Sequence, residues 1–258
     1  MSNIRINELK FSYNNDEYVF DCLNYTLRSN KTLSIIGQSA SGKTTLLKIL
    51  NGDLKYEGSI LVNGKELSKN NKDIAVVLDV NNFVNELVKD ELRFSLESLN
   101  IKPKEISKKI DEINDFFDIK KIFNKPIDML STNDRVLVKI LSYAIYEPSY
   151  IAIDDFLCYL DERTKILLLN YLNYKNILLI NVTSDLEDVL YTDYTICLYD
   201  KKIGIDGKSL YVLNEERVLK RLGFSLPFYI DLSIQLKLYG LINKVYYNKE
   251  ELVRHLWK

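Results

Sequence analysis

The sequence of 258 residues has little net charge and no long apolar run. Its formal net charge is −1, and no basic cluster stands out. A nucleic-acid-binding protein, which must neutralise many phosphates, is therefore disfavoured. No apolar run approaches the roughly 18 residues that a membrane-spanning helix needs. The first five residues lack the apolar core of a signal peptide. These absences predict a cytoplasmic protein that is not itself embedded in a membrane.

Cysteine and histidine are also scarce, with three and one residues respectively. Cys22, Cys158 and Cys197 are widely spaced, odd in number and flanked by apolar or aromatic residues. We therefore expect reduced, buried thiols rather than a disulfide framework. The single histidine, His255, falls in a predicted final helix. A solvent-facing role is expected for it rather than a catalytic one.

One phosphate-binding motif is present. The pattern Gly-x-x-x-x-Gly-Lys-Thr starts at Gly37, after an apolar run at residues 33–36 that predicts a buried strand. Residues 45–50 predict the helix that should follow. Strand, loop and helix thus come in the order that a nucleotide-binding P-loop requires. The residues expected to contact the nucleotide in this loop are Gly37, Gln38, Ser39, Ala40, Ser41, Gly42, Lys43, Thr44 and Thr45.

The residue types in this loop suit a triphosphate. Its backbone N–H groups must point inward, so side chains are unwelcome at Gly37 and Gly42. The helix start adds the positive end of its dipole. Lys43 would supply a positive charge to the β- and γ-phosphates, and Thr44 a hydroxyl ligand for Mg²⁺.

A second chemical feature is an apolar stretch, residues 150–153, that ends in Asp154 and Asp155. Downstream of a P-loop, this pattern is typical of a Walker B strand. Asp154 would then hold Mg²⁺, and Asp155 would orient the attacking water. The alternative is a pair of aspartates in a turn or at a helix cap.

The remaining pattern predicts an α/β fold around a P-loop NTPase core. A hairpin of residues 4–11 and 18–27 precedes the P-loop, and further buried strands are expected at 74–78, 150–153, 176–182 and 195–198. A turn is expected around Gly204 and Gly207. Residues 83–99 and 103–117 predict amphipathic helices, the first with Glu86, Asp90 and Glu91 facing outward.

The expected organisation is a nucleotide-binding domain of residues 1–209, with a helical insertion at about 83–146. From about residue 210 the pattern changes to short helices, which predicts a C-terminal helical extension of residues 210–258. We expect this extension to be dispensable for nucleotide binding and needed for assembly with other subunits.

These motifs, in this order, resemble the ATP-binding subunit of ABC transporters over nearly the whole chain. Residues 130–135 stand in the place of the family's signature Leu-Ser-Gly-Gly-Gln, and Ser131 caps the helix that follows. Asp161 matches the D-loop aspartate, and Tyr13 matches the aromatic that stacks on adenine. The resemblance implies that ATP and Mg²⁺ are bound, with Ser131 contacting the ATP on a partner subunit.

Residues 83–97 and the tail from residue 219 resemble the energy-coupling factor (ECF) ATPases, which drive uptake of vitamins and metal ions. This resemblance implies head-to-tail pairing with a second ABC ATPase subunit, at the cytoplasmic face of the cell membrane. It also implies a membrane coupling subunit, docked through the acidic helix around Glu86, Asp90 and Glu91, and a separate substrate-binding membrane subunit. The alternative for the acidic helix is a solvated face.

The departures from the family pattern fall on the catalytic residues. Asp155 replaces a water-positioning glutamate and is one methylene shorter. Ser184 replaces the switch histidine, and Asp79 replaces the Q-loop glutamine. The signature has no glycine, because Thr132 and Asn133 fill those positions. Two hypotheses remain: a weakly hydrolysing importer ATPase, or a non-hydrolysing subunit that completes a heterodimer with an active ATPase.

Overall fold

The computed structural model describes residues 3–14, 17–27, 30–69 and 71–257. Its strands are β1 (Ile4–Ser12), β2 (Tyr18–Leu27), β3 (Leu33–Gly37), β4 (Glu57–Val62), β5 (Lys65–Glu66), β6 (Ile74–Val77), β7 (Tyr150–Asp154), β8 (Leu178–Val182), β9 (Tyr194–Tyr199) and β10 (Lys202–Lys208). Its α-helices are α1 (Lys43–Leu50), α2 (Val88–Glu97), α3 (Pro103–Phe117), α4 (Thr132–Ala144), α5 (Glu162–Tyr174), α6 (Ser209–Asn214), α7 (Glu216–Arg221), α8 (Phe228–Leu238) and α9 (Lys249–Leu256). None of the described helices is long and apolar enough to cross a membrane.

The central sheet has the order β10-β9-β3-β8-β7-β6, parallel except for β10. The inner strands β3 and β7 are short apolar runs because both of their faces are covered, as is usual in parallel sheets. Asp154 lies opposite Val182 on β8, and Val182 lies opposite Ile35 on β3. The ends of these three strands therefore meet at one edge of the sheet, where the P-loop begins.

A smaller antiparallel sheet, in the order β2-β1-β4-β5, packs over α1. Buried Leu9, Phe20 and Ile60 from this sheet share one apolar cluster with Leu46 and Leu47 of α1. The predicted hairpin is thus present, widened by β4 and β5. The cluster fixes α1, and with it the P-loop, against the sheet.

The helical insertion covers another part of the central sheet. Helices α2, α3 and α4 share an apolar cluster with β6, β7 and α5. Helix α3 has the predicted bounds, but α2 begins at Val88 rather than Phe83. The buried Glu91 carboxylate accepts hydrogen bonds from the N–H groups of Val84 and Asn85 at 3.1 and 3.0 Å. These bonds satisfy the backbone N–H groups of Val84 and Asn85, which therefore do not need to lie in a helix.

Two further expectations were wrong. Gly204 and Gly207 do not form a turn but lie in β10, and the reversal comes earlier, at Asp200 and Lys201, which have φ of 45° and 66°. Only Cys197 is a buried thiol, whereas Cys22 and Cys158 are exposed. Cys22 has φ of 57° and lies where the β1–β2 register is irregular, so its side chain leaves the core.

The C-terminal helices are not a separate body. Val212, Leu219 and Phe224 of the extension form one apolar cluster with Ile36 of β3 and Cys197 of β9. A smaller cluster of Ile242, Tyr246 and Leu252 lies between α8 and α9. The extension therefore packs on the strand that leads into the P-loop.

Candidate functional site

The P-loop, residues 37–42, connects β3 to α1. A Cβ atom at Gly37 would lie 2.2 Å from Ser41 Oγ. Gly42 has φ of +96°, and an added Cβ would lie 2.8 Å from Val19 and 2.9 Å from Phe20. A side chain at either position would strain the loop. Within the protein, glycine is therefore required at both positions by neighbouring side chains, and at Gly42 also by the positive φ.

The exposed turn of the loop contains Gln38, Ser39 and Ala40, of which Ala40 has φ of 64°. Ser41 N–H donates to Gln38 O at 3.1 Å. Ser41 Oγ is buried, and it has no hydrogen-bond partner among the described residues. A hydroxyl in this position can donate to an anion oxygen, so it suits a bound phosphate.

Lys43 starts α1 and bends back over the loop. Its Nζ donates to Gly37 O at 2.6 Å and to Gln38 O at 3.0 Å. Burial lowers the pKa of Lys43, and the charges of Asp155 and Asp154 oppose this effect. The ammonium group therefore contacts the P-loop carbonyls and interacts electrostatically with the two acids.

Thr44 and Asp154 form the candidate metal site. Thr44 Oγ1 donates to Asp154 Oδ2 at 2.8 Å, so a hydroxyl from α1 and a carboxylate from β7 meet. Burial raises the pKa of Asp154, the Thr44 hydrogen bond opposes the rise, and the charge of Asp155 adds to it. Mg²⁺ prefers oxygen ligands of this kind, and its charge would favour the ionised acid. The donor set fits Mg²⁺.

Asp155 and Ser184 contact each other directly. Ser184 Oγ donates to Asp155 Oδ2 at 3.0 Å, and Ser184 N–H donates to Asp155 Oδ1 at 3.2 Å. Asp155 has φ of 60°, and its own N–H donates to Val182 O at 2.8 Å. Both carboxylate oxygens are therefore engaged by the chain itself. The sequence pattern assigned each residue to a catalytic position of the family but did not predict this bond.

Tyr13 is fixed beside the P-loop helix. Its hydroxyl lies 3.1 Å from Thr45 Oγ1, and its ring packs edge-on against Phe11 with centroids 4.9 Å apart. The Tyr13 side chain is nevertheless 56% exposed. An anchored ring with a free surface is suitable for stacking against a nucleotide base.

Asp79 and Ser131 each hydrogen-bond to a residue close to them in the sequence. Asp79, in the loop after β6, accepts a hydrogen bond from Asn81 N–H at 2.8 Å. Ser131 caps α4 by accepting from Asp134 N–H at 3.1 Å, as predicted. Thr132 beside it is exposed. Ser131 thus lies on an open helix start, which is consistent with a contact to a second subunit.

A cavity of about 420 Å³ adjoins the P-loop. It is lined by Gly37, Gln38, Ser39, Ser184, Gly223 and Phe224. The last two belong to the C-terminal extension, and the sequence analysis did not place them in the site. A glycine that follows a short helix was the only available signal, and it equally indicates an ordinary helix end.

Residues 20–157 match the family model described as ABC transporter. The chain belongs to the ABC transporter family. This membership makes it an ABC-type ATPase, as the P-loop and the acid-ended strand β7 predicted, and it implies that ATP is bound.

Relatives that match along nearly their whole length indicate which ABC ATPases the chain resembles. The chain is 29% identical to the energy-coupling factor transporter ATP-binding protein EcfA1 of Mesomycoplasma hyopneumoniae over 269 residues, covering 99% of this chain and 97% of the relative. It is 28% identical to EcfA of Malacoplasma penetrans, covering 98% and 92%. The predicted resemblance to ECF ATPases is confirmed.

Solved structures agree on the fold. CbiO1 from Clostridium perfringens, described as part of the ABC transporter complex cbiONQ, has a TM-score of 0.73 at 22% identity, over 85% of this chain and 93% of that one. The ATP-binding cassette MJ1267 has a TM-score of 0.74 at 20% identity, over 87% and 100%. The predicted α/β P-loop fold of an ABC ATPase is therefore present.

The position of the ABC signature contains a contact that the sequence did not reveal. Asn133 Oδ1, where the family has a glycine, accepts from the N–H of Asp161, the D-loop aspartate, at 2.9 Å. Asp161 in turn caps α5 by accepting from Thr164 N–H at 2.8 Å. The side chain that replaces the glycine therefore links the signature segment to the D-loop.

The acidic helix of the insertion needs a correction. Glu86 is exposed, but Glu91 is only 3% exposed and does not face outward. Its carboxylate pairs with Lys139 Nζ on α4 at 3.5 Å. Glu91 is therefore a structural residue of the insertion. Of the three acids, Glu86, which precedes α2, is exposed, and Asp90 of α2 is half-buried.

Proposed function

We propose that this chain is the ATP-binding subunit of an ECF-type ABC importer for vitamins or metal ions. It would work at the cytoplasmic face of the cell membrane, with a membrane coupling subunit and a substrate-binding membrane subunit. The observation that carries the proposal is the match to ECF ATPases along 98–99% of the chain, which includes the C-terminal extension.

The site supports binding of MgATP. Lys43 would exchange its contacts to the P-loop carbonyls for phosphate oxygens, and Ser41 Oγ would gain an acceptor. Thr44 and Asp154 would hold Mg²⁺, which supplies charge neutralisation across the β- and γ-phosphates. Tyr13 would stack on adenine. These parts need no residue from a second subunit.

Hydrolysis is proposed to be weak, because the residue that should orient the attacking water is already bonded. Asp155 is one methylene shorter than glutamate, and Ser184 engages both of its oxygens. A displacement of about 1 Å at a reacting group can lower a rate about a hundredfold. Ser184 also lacks an imidazole that could reach the γ-phosphate.

A heterodimer is favoured over a homodimer by the distribution of these changes. A homodimer would combine Asp155 and Ser184 with the glycine-free signature in both sites. With a second ABC ATPase, the P-loop of this chain would meet an intact signature, while the partner's P-loop would meet Thr132 and Asn133. The alternative function is a non-hydrolysing subunit that only completes this heterodimer.

The test is a steady-state assay of MgATP hydrolysis by the lone chain and by its mixture with an ABC ATPase that has an intact signature. It is repeated with Asp155→Glu plus Ser184→His, and with Ser184→Ala as the control that removes the hydroxyl bond to Asp155 Oδ2 without adding an imidazole. We expect slow turnover by the lone chain and the largest gain for the double variant with the partner present.

Two outcomes would decide against the proposal. Turnover by the lone wild-type chain near the usual enzyme median of about 10 per second would contradict weak hydrolysis. A double variant that gains nothing with the partner would favour the non-hydrolysing alternative, because residues 155 and 184 would then match the family pattern without effect.

A further inference from the structure

The short helix α7 ends in a glycine turn. Gly223 has φ of +80°, its N–H donates to Lys220 O at 3.1 Å, and Phe224 N–H donates to Leu219 O at 2.9 Å. This pair of bonds is the Schellman motif, in which glycine is preferred at the left-handed position. The helix end alone therefore accounts for the glycine.

The end of α7 does not explain which atoms lie opposite Gly223. A Cβ atom at Gly223 would lie 2.3 Å from Gln38 Nε2, 3.3 Å from Cδ and 3.7 Å from Cγ. The side chain of the first P-loop residue after β3 thus lies directly on the extension. Gly223 and Phe224 also line the 420 Å³ cavity together with Ser39 and Ser184.

This cavity lies toward the γ-phosphate end of the proposed ATP site. Ser184, in its wall, is bonded to Asp155, which follows the metal-ligand candidate Asp154. In P-loop enzymes the metal ion bridges the β- and γ-phosphates, so groups beside its ligands are close to the γ-phosphate. A nucleoside diphosphate would reach this region less than a triphosphate would.

Next to the contact between Gly223 and Gln38, the C-terminal extension packs against the P-loop strand β3. Leu222 and Phe224 share an apolar cluster with Ile36, the residue before Gly37. The turn and the P-loop strand are therefore packed together, and a displacement of one is transmitted to the other through close-packed side chains.

We propose that Gly223 is a positioning residue of the ATP site. The space above its Cα holds the Gln38 side chain, and with it the first turn of the P-loop, in the arrangement that receives the γ-phosphate. ATP binding and the position of the C-terminal extension are consequently coupled, and the coupling is reciprocal. The inference rests on the ATP site proposed above.

The chain provides a matched control at the end of α8. Gly240 has φ of +72°, its N–H donates to Lys237 O at 3.0 Å, and Leu241 N–H donates to Leu236 O at 2.9 Å. The motif is the same, but a Cβ at Gly240 meets no atom within 4 Å. Alanine at either glycine has similar left-handed strain, but of the two only alanine at Gly223 would contact the Gln38 side chain.

The experiment measures the affinity of the full chain for MgATP and MgADP by calorimetry. Gly223→Ala and Gly240→Ala are each made in the wild type and in a Gln38→Ala background. Relative to Gly240→Ala, we expect Gly223→Ala to weaken MgATP binding about three- to tenfold, and MgADP binding less. In the Gln38→Ala background this difference should vanish, since the three atoms nearest to the added Cβ all belong to the removed part of Gln38.

A second measurement needs no variant and covers the case in which Gly223→Ala does not fold. MgATP should slow hydrogen exchange at the amides of Gly223 and Phe224, and leave those of Gly240 and Leu241 unchanged. Equal effects of the two alanines, a difference that persists without the Gln38 side chain, or no change in exchange would each overturn the inference. A wild-type chain that does not bind MgATP would instead overturn the proposed function.

Discussion

Ser184 affects the site in two ways at the scale of single residues. It removes the imidazole that the family has at this position, and its hydroxyl and N–H occupy the carboxylate of Asp155. The two departures are therefore coupled, because residues in direct contact do not contribute additively. Restoring Glu at 155 alone would place a longer carboxylate against the same serine, which is why the hydrolysis test needs both substitutions.

The role of Tyr13 can be separated into ring and hydroxyl. Tyr13→Phe removes only the contact with Thr45 Oγ1 and keeps the ring against Phe11. Tyr13→Ala removes the ring as well. If the ring stacks on adenine, Tyr13→Ala should lower the affinity for ATP by about 1–3 kcal/mol, and Tyr13→Phe should change it little. Calorimetry of both variants measures the difference.

Inorganic triphosphate serves as the control ligand for this pair of variants. It has no base, so its affinity should be the same for Tyr13→Ala and for the wild type. An equal loss of ATP and triphosphate affinity would show that Tyr13 acts by supporting the P-loop helix. An unchanged ATP affinity in Tyr13→Ala would show that the ring does not contact the nucleotide.

At the scale of secondary structure, the elements predicted best were those specified by local sequence. Helix α3 has the predicted bounds, since Pro103 starts it, and the predicted final helix is α9, which Asn248 caps. The start of α2 was misplaced because Glu91 satisfies the preceding backbone from within the fold. Likewise, the bond of Ser184 to Asp155 depends on two strands meeting at the sheet edge, and no short-range pattern predicts such a contact.

The pair of Glu91 and Lys139 is expected to hold the helical insertion together. Its side chains are 4% and 7% exposed, and Lys139 Nζ also donates to Asn82 O. Lys139→Met would leave the Glu91 carboxylate buried without its cation, which costs about 3 kcal/mol or more. We expect the free energy of unfolding, measured in urea, to fall by about this amount.

The control is an exposed ion pair with the same N–O distance. Lys120 Nζ lies 3.5 Å from Asp111 Oδ1, the same distance as in the buried pair, but both of its side chains are 65% exposed. Lys120→Met should change the free energy of unfolding by less than about 1 kcal/mol. If the two variants were equally stable, burial would not be what makes the Lys139 pair important.

At the scale of the whole molecule, the extension is continuous with the core of the nucleotide-binding domain. The apolar cluster that includes Ile36 and Cys197 crosses the boundary proposed at residue 210. Its members beyond that boundary are Val212, Leu213, Leu219, Leu222, Phe224, Leu226 and Ile230. This packing argues against the expectation that the whole extension is dispensable for nucleotide binding. The outer part of the extension is the better candidate for a role in assembly, because Leu241, Val253 and Trp257 are 67%, 48% and 83% exposed there.

Two truncations test this division of the extension. Ending the chain at residue 209 removes those buried side chains, each worth about 1.5–3 kcal/mol on burial. For these seven side chains the sum is about 10–21 kcal/mol, as large as the net stability of about 5–15 kcal/mol that is usual for a domain, so this chain should not fold cooperatively or bind MgATP. Ending it at residue 239 removes only the buried members Ile242, Tyr246 and Leu252 of the outer cluster. That chain should unfold cooperatively in urea, bind MgATP by calorimetry and pair less well with a second ABC ATPase in analytical ultracentrifugation. A chain of residues 1–209 that unfolds at the full-length midpoint would show that the domain is complete without the extension.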